Sequence, residues 1–362
     1  MKSRSGGLPL KPAPNTPKWL LLSAPIALLI AVAGGIGGLW WNGSIAPPTT
    51  DPNAKSIQIQ VKPGTSAQAI GKELAAKGAI KSQLAWKLWT SWQGKQGKSP
   101  QSGTYEVSPS QPLQVVAAQF LEGKVVQSGF TIREGWNIKQ MGKYFEEQGL
   151  FKAADFIAAT KEISQDKFAW LPDGIPHLEG FLFPETYQLP SDSITPKGVI
   201  AQMLKQFEQV ALPEYQKVAA SQKLSLLEWV SLSSIVEKEA VIPIERPKIA
   251  GVFTTRLAKN MRLESDPTVE YGLGIKQTAD RPLTFAQVKR PNPYNTYMNA
   301  GIPPGPIASP GIESLKAVLN PDSTDLLFFV AKYDGTHVFS KTLSEHVAAT
   351  QLIRQQRQSG KK

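Results

Sequence analysis

Apolar side chains recur at short, regular spacings from residue 56 onward. Residues 56–61 alternate apolar and polar side chains, which predicts a strand, and residues 66–77 place Ile70 and Leu74 on one helical face. Three more short elements are predicted next: a helix over 82–92, a strand over 103–107 and a helix over 112–121. Together they predict a small α+β unit over 56–124, either a spacer or a glycan-binding module.

Residues 125–350 predict a mixture of helices and strands, and therefore a larger α+β domain. A basic tail over 351–362 follows it. Ser225 and Glu228 have the spacing of a capping box, so a helix is expected to begin there. Residues 178–187 are rich in aromatics and contain Pro184, which predicts a loop. The elements predicted in this domain are strands over 125–133, 326–330 and 337–340, and helices over 138–148, 153–161, 196–210, 225–239, 247–259 and 312–319.

An uncharged run covers residues 19–41 and is long enough to cross the hydrocarbon core of a bilayer as one helix. Tryptophans stand at both of its ends, and the basic residues of segment 1–18 predict a cytoplasmic N-terminus. A cleaved signal peptide is the alternative. Residues 42–55 are polar and Pro-rich, which predicts an extended linker. The remainder of the chain is then expected outside the inner membrane.

Charge and composition narrow the chemistry. Eight of the basic residues lie at the two ends of the chain, and without them the formal charge falls from +11 to about +3. A nucleic-acid partner is therefore not expected. The chain has no cysteine, and its three histidines do not show metal-ligand spacing, so neither thiolate chemistry nor a metal site is predicted. No cofactor motif is present in the sequence.

Two glutamates, Glu237 and Glu239, close the helix predicted over 225–239. Residues two apart on a helix point in nearly opposite directions, so the two carboxyls cannot share one cleft. Glu239 lies above Ile235 and Val236 on the apolar face, and Glu237 lies above serines on a face predicted to be polar. Burial and the helix C-terminus should both raise the pKa of Glu239, as a general acid requires. Alternatively, both glutamates are solvated or salt-bridged, and Glu179 is another candidate acid.

Loops after this helix are rich in side chains that commonly contact sugars. Aromatic rings can cover pyranose faces, and an amide can bind an acetamido group. Each of these residues alone is often structural, since buried tyrosines pack and Asp before Pro often forms a turn. Besides Glu179 and Glu237, the candidate substrate contacts are Asp266, Thr268, Tyr271, Tyr294, Asn295, Thr296 and Tyr297.

Five segments together give the chain a specific family resemblance. It resembles the YceG-like family, the endolytic murein transglycosylases, over roughly residues 56–350 in the same order. The segments that carry the resemblance are 178–187, 235–239, 261–272, 294–297 and 301–307.

The resemblance implies an enzyme anchored by one N-terminal helix, with a LysM-like unit over 56–124 and a catalytic domain over 125–350. It implies internal cleavage of nascent peptidoglycan strands with one glutamate as acid and base, and by position in its motif that residue is Glu239. The expected partners are glycan strands, the membrane and peptidoglycan synthases. A non-catalytic glycan-binding scaffold and a hydrolytic muramidase are the alternative functions.

Overall fold

The computed structural model describes the backbone of residues 18–163, 165–190, 194–218, 223–278, 281–332 and 334–359, and their side chains except at 18–31, 128 and 357–359. The chain forms two compact units, Met1–Val126 and Gln127–Lys362. Both mix helices with short antiparallel strand pairs, which confirms the α+β class.

The first unit builds its core on one strand pair. Its elements in order are α1 (Lys18–Ile45), β1 (Ile57–Val61), α2 (Ala67–Ala76), α3 (Gln83–Gly94), β2 (Gly103–Val107) and α4 (Leu113–Glu122). Strands β1 and β2 are antiparallel, with Ile59 opposite Tyr105. The inward side chains of both strands belong to one buried cluster with helices α2, α3 and α4, while Gln58 and Gln60 stay exposed. The predicted alternation is confirmed.

Helices α2 and α3 are fixed to each other through a buried indole. Ser66 and Ser82 cap the two helices by accepting hydrogen bonds from Ala69 N and Ala85 N. Trp86 is fully buried and donates from Nε1 to the carbonyl of Ala67 at 2.7 Å. A Cβ at Gly71 would overlap the Trp86 indole, so only glycine allows this close approach.

Helix α1 continues beyond the run for which the membrane span is predicted. It ends at Ile45, and Trp41 and Ile45 pack against the buried cluster of the first unit. The prediction of an extended linker is therefore wrong for residues 42–45, because these apolar contacts extend the helix. Within the described part of the chain, no helix is both long and apolar enough for a membrane crossing. Residues 19–31 of the predicted span lie outside the residues whose side chains are described.

The second unit surrounds one central helix, α9 (Leu226–Glu239). Ser225 and Glu228 form the predicted capping box at its start. Every side chain from Trp229 to Val236 is buried, and α10, α11 and α13 contact the helix. The other elements are β3 (Gln127–Thr131), α5 (Ile138–Glu147), α6 (Ala153–Ala159), β4 (Thr186–Pro190), α7 (Pro196–Val210), α8 (Leu212–Val218), α10 (Arg246–Ala258), α11 (Asp266–Leu273), α12 (Phe285–Val288), α13 (Ile312–Leu319), β5 (Phe328–Ala331), β6 (His337–Ser340) and α14 (Leu343–Ser359).

Several local predictions for this unit are wrong. The face of α9 below Glu237 is not solvated, because Ser233 and Ser234 are buried and Ser234 donates to the carbonyl of Ser231. The predicted loop over 178–187 runs into β4, which pairs with β3. Helices α8 and α12 are not predicted, and α14 crosses the boundary at residue 350 that is predicted between the domain and the basic tail. Short helices with few periodic positions give little sequence signal.

Candidate functional site

Glu239 is the last residue of α9 and keeps part of its surface open to solvent. Its Oε1 accepts a hydrogen bond of 2.6 Å from the Ser265 hydroxyl. The helix below it is packed on all sides, which fixes the position of the backbone that carries Glu239. The result is a carboxyl at the surface of a rigid core with a single serine donor.

Burial raises the pKa of Glu239 to about 7, and the nearby carboxylates of Asp266 and Glu270 push it in the same direction. The Ser265 hydrogen bond and the positive charge of Lys238 act against this shift. The direction agrees with the sequence prediction, although desolvation rather than the helix terminus is the largest cause. A carboxyl with this pKa can both give and take a proton near neutral pH.

A buried network of hydroxyl groups holds Ser265. Ser265 N donates to the Thr296 hydroxyl at 2.9 Å, and the Thr268 hydroxyl donates to the Ser265 carbonyl at 2.6 Å. The Thr268 and Thr296 hydroxyls lie 2.9 Å apart. Both threonines are buried, at 0% and 2% exposure, so their hydroxyls position Ser265 and do not face a substrate.

The segment leading into Ser265 is fixed by Arg256. This guanidinium donates to the carbonyls of Arg262 and Leu263 and to Glu264 Oε2, all at about 3 Å. Glu264 has a φ of 53°, in the left-handed region that non-glycine residues adopt rarely. Arg256 therefore stabilises an unusual turn that aims Ser265 at Glu239. Sequence reasoning missed Ser265 and Arg256, although Ser265 lies inside a segment that carries the family resemblance.

Asp266 and Tyr297 form a polar pair next to Glu239. The Tyr297 hydroxyl donates to Asp266 Oδ1 at 2.7 Å, and Gln277 Nε2 donates to Oδ2 at 3.2 Å. Burial and the Asp266 carboxylate raise the pKa of Tyr297, which therefore remains a neutral donor. Asp266 begins α11, so the predicted constrained turn is the first turn of a helix. Both side chains are partly exposed.

Asn295 lies in the interior of the protein, although its amide was predicted to contact the substrate. It is 1% exposed, and its Nδ2 donates to the carbonyls of Val288 and Arg290 at 2.8 and 2.9 Å. Its Oδ1 accepts from Tyr297 N at 2.9 Å. With its amide occupied on both sides by backbone, Asn295 cannot offer it to an acetamido group. We correct its role to shaping the loop that presents Tyr297.

Glu179 lies in a separate buried environment with the other two tyrosines. It is 3% exposed and accepts two bonds, of 3.0 and 3.2 Å, from Ile138 N at the start of α5. The Tyr271 hydroxyl donates to it at 3.2 Å, and the ring of Tyr271 meets that of Tyr294 edge-on. Burial raises the pKa of Glu179 to about 8. Its carboxyl is a helix cap closed to solvent, whereas both tyrosines keep partial exposure.

Glu237 is turned away from Glu239 and is satisfied internally. Its Oε2 accepts from Ser314 Oγ at 2.6 Å and from Gly311 N at 3.1 Å, and Arg246 Nη2 lies 3.5 Å from Oε1. Only 7% of its side chain is exposed. The predicted opposition of the two glutamates is present, but Glu237 contacts the start of α13 and no open surface. We correct its predicted substrate contact to a structural one.

Comparison with known proteins identifies the family to which this site belongs. The profile of the YceG-like family matches residues 59–352. The chain belongs to the YceG-like family. The match covers all of the hydroxyl, carboxyl and tyrosine groups described above.

Two curated relatives carry the same name. A protein of Bacillus subtilis (strain 168) named "Endolytic murein transglycosylase" is 34% identical over 86% of this chain and 89% of its own length. A protein of that name from Streptococcus pneumoniae (strain D39) is 28% identical over 91% of this chain, which spans 64% of the streptococcal protein. The crystal structure of a YceG-like protein from Listeria monocytogenes is 31% identical, with a TM-score of 0.55 over 82% of this chain and 100% of the other.

Proposed function

We propose that this protein is an endolytic peptidoglycan lytic transglycosylase in which Glu239 is the general acid and base. The observation that carries the proposal is the state of Glu239: a partly exposed residue whose carboxyl has one serine donor and a pKa of about 7. The names of the curated relatives support the reaction class.

The proposed reaction needs only one carboxyl that changes its protonation state. Protonated Glu239 donates its proton to the oxygen that links N-acetylmuramic acid to N-acetylglucosamine, and the C1–oxygen bond breaks. The muramyl 6-hydroxyl bonds to the same C1 and passes its proton to the Glu239 carboxylate. The products are a free sugar hydroxyl and a 1,6-anhydro ring, and no water is consumed. An internal nucleophile removes the need for a second catalytic carboxylate.

The partly exposed groups beside Glu239, and the two tyrosines near Glu179, would contact the glycan. Asp266 and the hydroxyl oxygen of Tyr297, whose proton is donated to Asp266, offer acceptors beside the reacting carboxyl. Tyr271 and Tyr294 offer aromatic faces that suit pyranose rings. Thr268, Asn295 and Thr296 are assigned to the support of these groups because they are buried.

A hydrolytic muramidase is the second candidate, and one observation favours it. The negative charge of Asp266 acts on Glu239, so a second carboxylate is near the proposed acid. Two-carboxylate hydrolases use such a residue as base or nucleophile. Asp266 is, however, held by Tyr297 and Gln277, which supports a binding role. A non-catalytic glycan scaffold has no comparable support, since it needs no carboxyl with a raised pKa.

Analysis of the products separates these functions. Intact glycan strands are incubated with the full chain and the new ends are identified by mass spectrometry. We expect anhydro-muramyl ends, which are one water lighter than reducing ends. Reducing ends would establish a muramidase, and unchanged strands under conditions where the protein is folded would leave only the scaffold. The Glu239→Gln variant is the control for contaminating hydrolases.

We further propose a membrane anchor over residues 19–41, with a cytoplasmic N-terminus and the catalytic domain outside the inner membrane. The uncharged run and the preceding basic residues support this topology. Peptidoglycan synthases that make nascent strands would be partners at that surface. The full chain should float with vesicles of the zwitterionic lipid phosphatidylcholine, and a chain starting at Pro52 should not. A full chain that is recovered in the soluble fraction without its first residues would contradict the anchor.

A further inference from the structure

Helix α3 carries an apolar stripe on its outer surface that the proposed reaction does not use. Leu84, Leu88 and Trp92 are 54%, 47% and 52% exposed. They are spaced by four residues, so they follow one another along a single face of the helix. The opposite face contributes Trp86 to the core. Three large apolar side chains in one exposed row are more than scattered surface residues and mark an interaction surface.

Basic residues frame this stripe. The surrounding lysines are all exposed, and the sequence contains no acidic residue between Glu73 and Glu106. Apolar and aromatic side chains edged by lysines are typical of helices that lie in the headgroup region of an anionic bilayer, where the lysine stems extend outward. The four lysines are Lys81, Lys87, Lys95 and Lys98.

The position of α3 in the first unit supports the same partner. Helix α3 contacts α1, and α1 is tied to this unit by Trp41 and Ile45. On the N-terminal side of this junction, α1 exposes further apolar side chains, with Ile36 at 64% and Leu39 at 77% exposure. The stripe therefore belongs to the same unit as the segment for which the membrane anchor is proposed, and it lies on a helix that contacts that segment.

We propose that the outer face of α3 is a second membrane contact, which lies flat in the headgroup layer of an anionic lipid surface. It rests on the proposed anchor, because α1 would hold this face near the bilayer. Two leucines suit acyl chains better than sugars, and the lysines complement anionic headgroups. The consequence is a first unit with a fixed orientation on the membrane.

Fluorescence quenching on the full chain tests this contact, and the absence of native cysteine allows one label per variant. Ser91→Cys places the label within the stripe while leaving its apolar residues intact, since Ser91 is exposed and lies seven residues after Leu84 and three after Leu88, on the same face of the helix. Gln60→Cys is the matched control, exposed on the outer side of the strand pair. The labelled chains are reconstituted into vesicles of phosphatidylglycerol and phosphatidylethanolamine with nitroxide-bearing lipid.

At Ser91 we expect a blue-shifted emission, quenching by the lipid nitroxide and loss of quenching by aqueous iodide. The label at Gln60 should show the reverse pattern. Adding Leu88→Glu to the Ser91→Cys chain should return the Ser91 label to water while the chain remains bound to vesicles. Circular dichroism of this variant shows whether it is folded, and Lys87→Gln with Lys95→Gln gives a milder second variant that should weaken the lipid quenching.

Three other results would overturn the contact. A chain that floats with vesicles while the Ser91 label stays open to iodide refutes it and leaves the anchor intact. A label shielded only when glycan strands are added makes the stripe a glycan site instead. A chain that fails to float refutes the anchor itself, and the contact with it.

Discussion

The last turn of α9 carries one glutamate on each of two opposite sides, and the two carboxyls differ in the donors and charges that surround them. Glu239 and Glu237 each accept a 2.6 Å hydrogen bond from a buried serine, Ser265 and Ser314 respectively. Glu237 has in addition a backbone N–H and a guanidinium, and only 7% of its side chain is exposed. Glu239 has no further donor among the described contacts and faces two neighbouring acids.

This difference shows how one helix end can hold both a structural and a chemical carboxylate. Two hydrogen-bond donors and a nearby guanidinium hold the Glu237 carboxyl in place, so it serves as a fixed anchor for α13. Glu239 has too little compensation for its burial, so its ionised form is destabilised. Supply of donors, and not burial alone, therefore separates the two roles, and variants on each side should have different consequences.

The largest effect on activity is expected at Glu239. Glu239→Gln keeps the shape of the side chain but cannot transfer a proton, so strand cleavage should fall by about 10²–10⁴-fold or more. Glu237→Gln should retain cleavage wherever it is folded. Release of anhydro ends at a temperature well below unfolding measures both. If Glu237→Gln were inactive while folded and Glu239→Gln active, the assignment of the two sides would be reversed.

Parental activity should also depend on pH in a defined direction. Glu239 must be protonated to act as the acid, so the rate should decline as pH rises through about 7. An initial-rate profile between pH 5 and 9 measures it, and a rate that stays flat across this range would contradict the role of Glu239.

The second effect is a loss of folding stability, expected when Asn295 in the loop that presents Tyr297 is changed. Asn295→Ala removes the three hydrogen bonds of a buried amide, to the carbonyls of Val288 and Arg290 and from Tyr297 N, which should cost about 3 kcal/mol at about 1 kcal/mol per bond. Thermal unfolding should shift down by roughly 2–4 °C per kcal/mol. Asn299→Ala is the matched control, because Asn299 is an exposed amide of the same loop. Lost activity at an unchanged melting temperature would make Asn295 a sugar ligand after all.

A similar but smaller loss of folding stability is expected at Glu237. Glu237→Gln removes the charge that pairs with Arg246 and weakens the bonds from Ser314 and Gly311, at a cost of about 1–3 kcal/mol. Glu313→Gln is the control, since its 3.7 Å pair with Lys316 is largely exposed and contributes little. Equal melting temperatures for the two variants would show that the closed environment does not stabilise the fold.

The sequence predicted the position of α9 and the opposite directions of its two glutamates better than it predicted the contacts that each glutamate makes. Periodicity and the Ser225 capping box located α9, and helical geometry separated Glu237 from Glu239, because both depend on neighbours in sequence. The burial of Asn295 and the Ser265–Glu239 bond depend on groups far apart in sequence, which periodicity does not reveal. The face of α9 below Glu237 was misjudged for the same reason, since Ser231 and Ser234 are buried and donate their hydroxyls to carbonyls of the same helix.

The smallest effect tests the hydrogen bond that the two sides have in common. The Ser265 hydroxyl lowers the pKa of Glu239, so Ser265→Ala should raise that pKa and move the alkaline decline of activity to higher pH. At pH 6, where Glu239 is already mostly protonated, the rate should change only a few-fold, because the lost bond is worth about 1.5–3 kcal/mol and part of it is present before reaction. Ser314→Ala removes the equivalent donor from Glu237 and is the matched control: it should lower the melting temperature and leave the pH profile in place. If the two serine variants shift the profile equally, Ser265 affects activity through the fold rather than through the ionisation of Glu239.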